Sequence, residues 1–475
     1  MICTPIISSG MEEAIADIKK ANTIADIIEL RIDFISDLDL KELIEAAKKP
    51  IIVTNRRKQD EGKFKGTEEE RLALLKKAIG LGADYIDIEI DADYKEVINN
   101  KNGSKIIVSY HNFKETPENL KGIYNQLASA DADIIKIATK ANKLSDNLRI
   151  LEIIKKSDKQ IIAMCIGQLG EISRVLAPLY GSCITFASLS KGKESALGQI
   201  PAETLRNIYR IDEIKPGFKI YGIIGNPVAE SKGYIIHNSL FKQKNLNNIY
   251  LNFLVEDLED FINNFSGLLA GASITMPYKE KILHYLDEIS PIASKIGAVN
   301  TVVNQNGKLI GYNTDMTAAI KAIEAKTEIK NKNVTILGAG GAARAIAFGI
   351  VEKGGKLTIL NRTIEKAEKL SEELNCSFGS LDDFNNIKTD ILINTTSAGM
   401  HPDINKAPVN TKFVKNMTVF DVIYNPEKTK LLKEAEKNNC IIISGKEMFI
   451  NQAAEQFRLW TGKQPDMSFL RGILK

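Results

Sequence analysis

The chain has 475 residues, of which 44% are hydrophobic and 26% charged, and its 63 Lys and Arg against 60 Asp and Glu give a formal net charge of +3. This length predicts two or three domains, each large enough to bury a core without disulfides or a structural metal, which excludes small cross-linked scaffolds. The near-neutral, interleaved charge offers no basic face, so we expect neither nucleic acid nor a membrane as partner.

Cysteine and histidine usage argues against covalent or metal cross-links. The five cysteines form no CxxC pair, which is typical of reduced thiols. The four histidines are scattered, without an HExxH motif, and we expect no metal site. No apolar run reaches the ~18 residues of a membrane-spanning helix, and the first ten residues lack the profile of a signal peptide, so we expect a cytoplasmic protein.

The first 213 residues alternate short β-branched apolar runs with amphipathic helical stretches. We predict eight strands, at residues 2–7, 26–32, 51–55, 85–90, 105–110, 134–138, 161–166 and 183–188. Eight strand–helix repeats in a segment of this length predict a compact (β/α)₈ barrel of the α/β class, with its active site at the carboxyl ends of the strands.

Polar residues interrupt or close these strands where a purely structural barrel would not require them. Lys136 lies between isoleucines, and a lysine inside a barrel can supply an amine nucleophile that forms a Schiff base with a ketone. His111 closes the preceding strand, within reach for acid–base work on a group bound to Lys136. A lysine paired structurally with Asp87 or Glu89, and a capping or core histidine, are the alternatives. Schiff-base barrels include both aldolases and dehydratases.

Six motifs in residues 1–210 resemble the type I 3-dehydroquinate dehydratase family. They are ELRID (29–33), TNR followed by EGKFKG (54–66), SYHNF (109–113), KIA (136–138), GEISR (170–174) and SALGQIP (195–201). The resemblance implies that Lys136 forms the imine, that His111 shuttles protons and that Glu61 assists it. It also implies substrate contacts from Glu29, Arg31, Arg56, Arg174, Ser195 and Gln199. Lys63 replaces a family glycine, and Ile166 replaces a frequent methionine.

A charged, helical segment at 206–217 ends in Pro-Gly and predicts a domain boundary near Lys215. Residues 1–213 would then be the barrel. Residues 218–320 mix strands and helices and predict a smaller α/β domain, completed by a C-terminal helix at about 450–475. Residues 321–449 would form a separate nucleotide-binding domain.

The nucleotide-binding prediction depends on a glycine turn between a strand and a helix. Gly338, Gly340 and Ala343 fill the G-x-G-x-x-G/A pattern directly after an apolar strand, where backbone N–H groups can hold a pyrophosphate. The next strand ends in Asn361-Arg362-Thr363, with Lys366 nearby, where an NAD site would have an acidic residue. These cations favour the 2′-phosphate of NADP. A glycine turn without ligand and a solvated Arg/Lys pair are the alternatives.

Residues 218–475 resemble the shikimate dehydrogenase family through motifs in the family's order. They include GNPVAESK (225–232), SITMPYK (273–279), GAVNT (297–301), GYNTD (311–315), NTTSAGM (394–400), FDVIYNP (420–426) and GKEMFINQAAEQF (445–457). The resemblance makes Lys279 the acid/base and Asp315 its partner. It implies substrate contacts from Ser231, Thr275, Asn300, Tyr424 and Gln452. It implies NADP(H) contacts from Gly338, Ala339, Gly340, Gly341, Ala342, Asn361, Arg362, Thr363, Lys366 and Gly445.

Two departures from this second family bear on substrate binding. Gly233 stands where the family usually has a second serine, and Ser273 where it has an asparagine. By itself a Lys–Asp pair is also a common surface ion pair, although reduction of a ring ketone requires such a proton donor.

The two resemblances together imply a bifunctional shikimate-pathway enzyme of chorismate and aromatic amino acid biosynthesis. It would dehydrate 3-dehydroquinate and reduce the resulting 3-dehydroshikimate to shikimate with NADPH. One alternative is an NAD-dependent quinate/shikimate dehydrogenase working oxidatively, against which Arg362 argues. Another is a regulator that binds metabolite or NADP without catalysis. Oligomeric state does not follow from the sequence.

Overall fold

The computed structural model describes residues 1–473 and contains two compact units. One comprises residues 1–219 with 247–265, and the other comprises residues 220–246 with the chain from residue 266 onward. The three domain bounds predicted above stay a prediction. Within residues 1–473, no helix combines the length and the apolar character needed to cross a membrane.

Residues 1–213 form the predicted barrel of parallel strands, and all eight strands are present. The strands are Ile2–Ile6 (β1), Ile27–Arg31 (β2), Ile51–Thr54 (β3), Tyr85–Glu89 (β4), Lys105–Asn112 (β5), Ile134–Lys140 (β6), Ile161–Ile166 (β7) and Thr185–Phe186 (β8). The helices are Met11–Ile24 (α1), Leu40–Ala46 (α2), Glu68–Gly80 (α3), Tyr94–Asn99 (α4), Leu120–Ala128 (α5), Asp146–Lys156 (α6), Glu171–Tyr180 (α7) and Ala202–Asn207 (α8).

The strands pair in parallel in the order β7-β6-β5-β4-β3-β2-β1-β8, which follows the chain except at the edge. The Cys183 N–H, just before β8, donates to the Ile161 carbonyl at the start of β7 at 2.9 Å. This bond joins the two edges and makes the barrel nearly closed.

Strand periodicity separates an apolar floor from a polar upper layer inside the barrel. A buried cluster includes Ile27, Ile52, Ile107, Ile134 and Ile162, one from each of five strands, and Tyr85 of β4 packs against it. Side chains two residues further along a strand lie on the same face. In β2, β4, β5 and β6 those positions are Glu29, Asp87, Ser109 and Lys136, all buried. Inside the barrel, a layer of polar side chains therefore lies next to the apolar cluster, on its side towards the carboxyl ends of the strands.

The remaining strands are Lys219–Gly225 (β9), Asn248–Leu254 (β10), Leu269–Ile274 (β11), Glu288–Ile289 (β12), Thr301–Gln305 (β13), Lys308–Tyr312 (β14), Asn333–Leu337 (β15), Lys356–Leu360 (β16), Ser377–Gly379 (β17), Ile391–Asn394 (β18), Thr418–Asp421 (β19) and Ile441–Ile443 (β20). The helices are Gly233–Gln243 (α9), Leu258–Phe265 (α10), Pro291–Ile296 (α11), Asp315–Glu324 (α12), Gly341–Glu352 (α13), Ile364–Leu374 (α14), Lys430–Lys437 (α15), Gly445–Thr461 (α16) and Met467–Ile473 (α17).

Two sheets organise the second unit. In one, β9, β11, β13, β14 and β12 lie side by side, with β13 antiparallel to both of its neighbours. The other is parallel throughout, in the order β17-β16-β15-β18-β19-β20. This order is that of a doubly wound dinucleotide-binding fold, whose ligand crevice lies where the strand order reverses, between β15 and β18.

Two helix predictions need correction. The segment 206–217 is not helical throughout, because α8 ends at Asn207 and Arg210 takes a left-handed φ of 54°. The predicted C-terminal helix at 450–475 is two helices in the described chain, since α16 ends at Thr461 and the next residue, Gly462, has a left-handed φ of 68°. The last two residues of that prediction, 474 and 475, lie outside the described residues.

Candidate active sites

A cavity of about 310 Å³ opens at the carboxyl ends of the barrel strands. The structure brings together around it all nine residues that the sequence assigned to this site. They are Glu29, Arg31, Arg56, Glu61, His111, Lys136, Arg174, Ser195 and Gln199. Phe113, Met164, Ile166 and Phe186 add apolar surface to the same walls.

Lys136 is buried and held by one carboxylate and one aromatic ring. Its Nζ donates to Asp87 Oδ2 at 2.7 Å and lies 4.2 Å from the centre of the Phe186 ring. Asp87 also accepts from an Arg56 guanidinium nitrogen at 2.9 Å and from Ser109 Oγ at 2.7 Å. Burial alone would raise the pKa of Asp87, but the Arg56 and Lys136 cations hold it well below its usual value. Asp87 is therefore a permanent anion against the lysine.

His111 is a half-buried neutral imidazole that faces the cavity. Burial, with the Arg56 and Lys136 cations, holds its pKa well below the usual histidine value. Across the β5–β6 ladder Lys136 pairs with Ser109, so His111 lies two residues above it on the neighbouring strand. Its Nδ1 has no hydrogen-bond partner among residues 1–473. A buried nitrogen in this state is suited to take a proton from a bound molecule.

The three cavity arginines differ in their partners. Arg31 donates two hydrogen bonds to Asp33, and Arg56 is paired with Asp87 and Glu89. Within the described chain, Arg174 forms no ion pair and its Nε has no hydrogen-bond partner, although the side chain is buried. One of its terminal nitrogens donates to the Phe186 carbonyl at 3.2 Å. Burial lowers the pKa of Arg174 to about 10, so this cation lacks an anion in the cavity wall.

The loop after β3 explains why Lys63 can replace the family's glycine. A Cβ at Gly62 would lie 2.1 Å from the Arg56 carbonyl oxygen, so that glycine is required. Lys63 contributes only its backbone N–H, which donates to Asp33 at 3.0 Å. Glu61 has a left-handed φ of 57° and lines the cavity, but no hydrogen bond among the described residues joins it to His111.

Ser195 and Gln199 form a closed turn on the loop after β8. The Gln199 amide donates to Ser195 Oγ at 2.9 Å, and the Ser195 N–H donates to Gln199 Oε1 at 2.8 Å. Both side chains are therefore held at the cavity mouth.

In the second unit, Lys279 Nζ lies 2.5 Å from Asp315 Oδ2, at the first residue of α12. The lysine side chain also packs against the glycine turn of the parallel sheet, since a Cβ at Gly341 would lie 3.2 Å from Lys279 Cδ. The predicted acid/base lysine and the predicted pyrophosphate turn are therefore neighbours.

Tyr424 and Ser231 are brought together nearby. Burial raises the pKa of Tyr424, while hydrogen bonds with the Lys232 backbone and the Ser231 side chain oppose the increase. The Tyr424 ring stacks on Phe449 with centroids 4.3 Å apart. The Gly233 N–H donates to Ser231 Oγ at 3.3 Å. Gly233, which stands where the family usually has a second serine, therefore contacts Ser231 through its backbone.

Sequence reasoning missed Gln456, which is buried beside the predicted substrate contacts. Its Nε2 donates to the Asn300 carbonyl at 3.2 Å and to Thr301 Oγ1 at 3.0 Å, and its Oε1 accepts from Ser273 Oγ at 2.9 Å. Ser273, which replaces the family's asparagine, is thus hydrogen-bonded to Gln456. Thr275 is half-buried just after β11, and Gln452 is half-buried one turn before Gln456 on α16.

The glycine turn after β15 has the geometry of a dinucleotide site. Gly338 has φ 111°, and a Cβ there would lie 2.4 Å from Thr395 Oγ1 at the end of β18. Gly340 faces open space before the first turn of α13. Ala339, Gly341 and Ala342 are half-buried, and Gly445 is buried at the start of α16.

The end of β16 carries cations without acidic partners. Arg362, Thr363 and Lys366 are exposed, and neither Arg362 nor Lys366 forms an ion pair in the described chain. The Asn361 amide donates to the Thr363 carbonyl at 2.9 Å, which shapes the turn into α14. This donor set fits a 2′-phosphate.

Comparisons with known proteins cover nearly the whole chain. The family model of type I 3-dehydroquinase matches residues 2–216. The shikimate dehydrogenase substrate-binding domain matches 223–302, shikimate/quinate 5-dehydrogenase matches 320–441, and the shikimate 5′-dehydrogenase C-terminal domain matches 445–467.

Individual relatives match either nearly the whole chain or about half of it. The chloroplastic bifunctional 3-dehydroquinate dehydratase/shikimate dehydrogenase of Arabidopsis thaliana is 39% identical over 97% of this chain and 82% of its own. The shikimate biosynthesis protein AroDE of Chlamydia pneumoniae is 32% identical over 97% and 95%. The crystal structure of Thermus thermophilus shikimate 5-dehydrogenase with NADP(H) and shikimate is 32% identical, with a TM-score of 0.51, over 54% of this chain and 98% of that one.

Proposed function

The chain belongs to the family of bifunctional 3-dehydroquinate dehydratase/shikimate dehydrogenases, and on this premise we propose which of its residues perform the two reactions. The first reaction dehydrates 3-dehydroquinate to 3-dehydroshikimate through a lysine Schiff base. The second reduces 3-dehydroshikimate to shikimate with NADPH.

The observation that carries the first assignment is a buried lysine and a half-buried neutral histidine in one cavity. Lys136 attacks the ring ketone, water is lost and a protonated iminium forms. His111 then takes the proton on the carbon next to the iminium and returns it to the hydroxyl group that leaves. Hydrolysis of the imine releases 3-dehydroshikimate and restores Lys136. Glu61, at the cavity rim, assists this proton transfer.

Arg174 holds the substrate carboxylate in this scheme. It is the cavity arginine that has no acidic partner in the described structure. An anionic ligand would therefore neutralise a buried cation that has no acidic partner within the fold. Arg31 and Arg56 are already neutralised by Asp33, Asp87 and Glu89. Their remaining donors, with Glu29, Ser195 and Gln199, contact substrate hydroxyl groups.

In the second unit, the Lys279–Asp315 pair supplies the proton that the reduced ketone oxygen needs. Ser231, Thr275, Asn300, Tyr424 and Gln452 hold the carboxylate and hydroxyl groups of the same substrate. When bound, NADPH supplies the hydride. The backbone from Gly338 to Ala342 and Gly445 would hold the dinucleotide, with Asn361, Arg362, Thr363 and Lys366 on the 2′-phosphate. Lys279 lies against Gly341, which sets the proton donor beside the nucleotide turn.

A coupled assay tests both reactions, and borohydride trapping tests the Schiff base. Full-length protein is mixed with 3-dehydroquinate and NADPH, and the nicotinamide absorbance is followed while shikimate is measured as product. Loss of NADPH with shikimate formed requires both sites. Borohydride added with 3-dehydroquinate should add mass to Lys136. An unmodified lysine, or full dehydratase activity in Lys136→Ala, would overturn the barrel assignment.

A further inference from the structure

Asp87 forms the tightest polar contact of the lysine proposed to become the imine. Its Oδ2 lies 2.7 Å from Lys136 Nζ, and the side chain of Asp87 is fully buried. Its second oxygen accepts from Arg56 and Ser109. These two donors fix the carboxylate on β4, independently of what is bonded to the lysine.

The surroundings of Lys136 make Asp87 its direct counter-ion. The titratable or charged groups that face the lysine from the other strands are Cys3 on β1, Glu29 on β2, Arg56 after β3, Asp87 on β4 and His111 on β5. Glu29 accepts from Thr54 Oγ1 at 2.7 Å. Among the described residues, the carboxylate hydrogen-bonded to Nζ is that of Asp87. Met164 and Phe186, on β7 and β8, add apolar surface to the same cavity wall.

We infer that Asp87 is a catalytic residue: it stays ionised throughout and keeps the imine nitrogen of Lys136 protonated, as the iminium. This inference rests on the proposed Schiff-base reaction. The charge balance supports it, because an ammonium and a ketone give an iminium and water, with one positive charge on nitrogen before and after. The C–N bond forms, the C–O bond breaks and the carboxylate takes no proton.

Protonation matters at the next step. When His111 removes the proton on the neighbouring carbon, the electron pair of that C–H bond moves towards nitrogen. A protonated iminium accepts this pair and becomes a neutral enamine, whereas a neutral imine is a much weaker acceptor. In a buried site, a cation without an adjacent anion loses its proton readily. Asp87 therefore links proton abstraction by His111 to the charge on Lys136.

Glu89 provides a matched control on the same strand. It is two residues from Asp87, buried, and paired with Arg56 at 2.7 Å and Arg71 at 2.9 Å, but among the described residues it forms no ion pair or hydrogen bond with Lys136. Asp87→Asn and Glu89→Gln each replace one buried carboxylate by an amide beside Arg56. Only the first removes the counter-ion of the lysine.

The experiment is cyanoborohydride trapping, since this reagent reduces the protonated iminium. Full-length wild type, Asp87→Asn, Asp87→Glu and Glu89→Gln are incubated with 3-dehydroquinate between pH 6 and pH 9, and modified Lys136 is quantified by mass spectrometry. We expect a level profile in wild type and in Glu89→Gln, and at least a tenfold fall towards pH 9 in Asp87→Asn. Asp87→Glu keeps the charge and should stay level. NADP⁺-dependent oxidation of shikimate by each variant checks the integrity of the chain.

The outcomes separate this inference from the function on which it rests. A level trapping profile in Asp87→Asn overturns the counter-ion role and leaves the Schiff base intact. If Asp87→Asn does not fold, a falling profile in Asp87→Glu overturns it instead. Absence of trapping in wild type, or trapping that persists in Lys136→Ala, overturns the Schiff-base function itself.

Discussion

Replacing Arg174 by methionine should have opposite effects on stability and on substrate binding. Methionine keeps the length and apolar stem of the side chain but removes a buried cation that has no acidic partner in the described chain. Without substrate that cation is unfavourable, and with substrate it neutralises a carboxylate. The variant should therefore have a more stable barrel that binds 3-dehydroquinate poorly.

The magnitude follows from the pKa of Arg174, which burial lowers from 12.5 to about 10. At about 1.4 kcal/mol per pKa unit, the buried charge destabilises the folded state by roughly 3 kcal/mol at neutral pH. The substitution also loses the hydrogen bond to the Phe186 carbonyl and the contact with Met164 Sδ, at about 1 kcal/mol each. The net gain of about 1 kcal/mol should raise the barrel's Tm by about 2–4 °C.

Binding changes in the other direction. Loss of a buried charge-assisted pair that leaves a carboxylate unpaired costs about 3–5 kcal/mol. The KM for 3-dehydroquinate should rise by at least about 10²-fold. The assay is calorimetric unfolding without substrate, together with dehydratase kinetics measured at the enone absorbance of the product.

Arg56→Met is the matched control, because it removes an arginine from the same cavity but takes one cationic partner from each of two buried carboxylates, Asp87 and Glu89. It should destabilise the barrel by about 3–5 kcal/mol while also impairing activity. If Arg174→Met lowers the barrel's Tm as Arg56→Met does, and its KM is unchanged, then Arg174 is a structural cation and its assignment to the substrate carboxylate is refuted.

Three further predictions concern the second unit. Lys279→Met should lower the kcat of shikimate oxidation by about 10²–10⁴-fold with little change in NADP⁺ affinity, and an unaltered kcat would exclude the lysine as proton donor. Arg362→Gln should raise the KM for NADPH by about 10–100-fold and leave that for NADH unchanged; a clear NADH preference in wild type would contradict the NADP assignment. Burial lowers the pKa of His237 from 6.5 to about 3. Between pH 6.5 and pH 3 the unfolded state therefore binds a proton that the folded state does not. The free energy of unfolding should fall by about 1.4 kcal/mol per pH unit over this range as the pH is lowered. His237→Phe should flatten this acid limb in fluorescence-monitored unfolding, whereas an unchanged slope would place its origin elsewhere.

The barrel and the nucleotide fold were accessible from sequence for a physical reason. Strands buried on both faces read as continuous apolar runs, and eight of them lay between helical stretches in residues 1–213. Short strands carry too few residues for such a signal. The sequence did not predict β12, β17 or β20, which have two or three residues each in the structure. It also did not predict β14 and β19, which have five and four residues.

The family motifs indicated which residues surround the sites but not how these residues pair. Lys136 and Asp87 are 49 residues apart, and only closure of the strand ladder places them 2.7 Å from each other. The sequence left Asp87 and Glu89 as equal candidates for the lysine's partner, and the structure selects Asp87. Gln456 follows the same logic, since a glutamine within a helical run reads as solvent-facing until the neighbouring sheet is known.

Trp460 gives the molecule an internal optical label. It is the one tryptophan of the chain, it lies on α16, and its indole N–H donates to the Val302 carbonyl at 3.0 Å. A Cβ at Gly271 would lie 2.5 Å from the same nitrogen, so the ring sits directly on the sheet of the second unit. Tryptophan emission therefore reports on the dehydrogenase half and is silent about the barrel. Thermal unfolding of the intact chain, followed both by tryptophan emission and by calorimetry, would therefore give the unfolding temperature of each half separately.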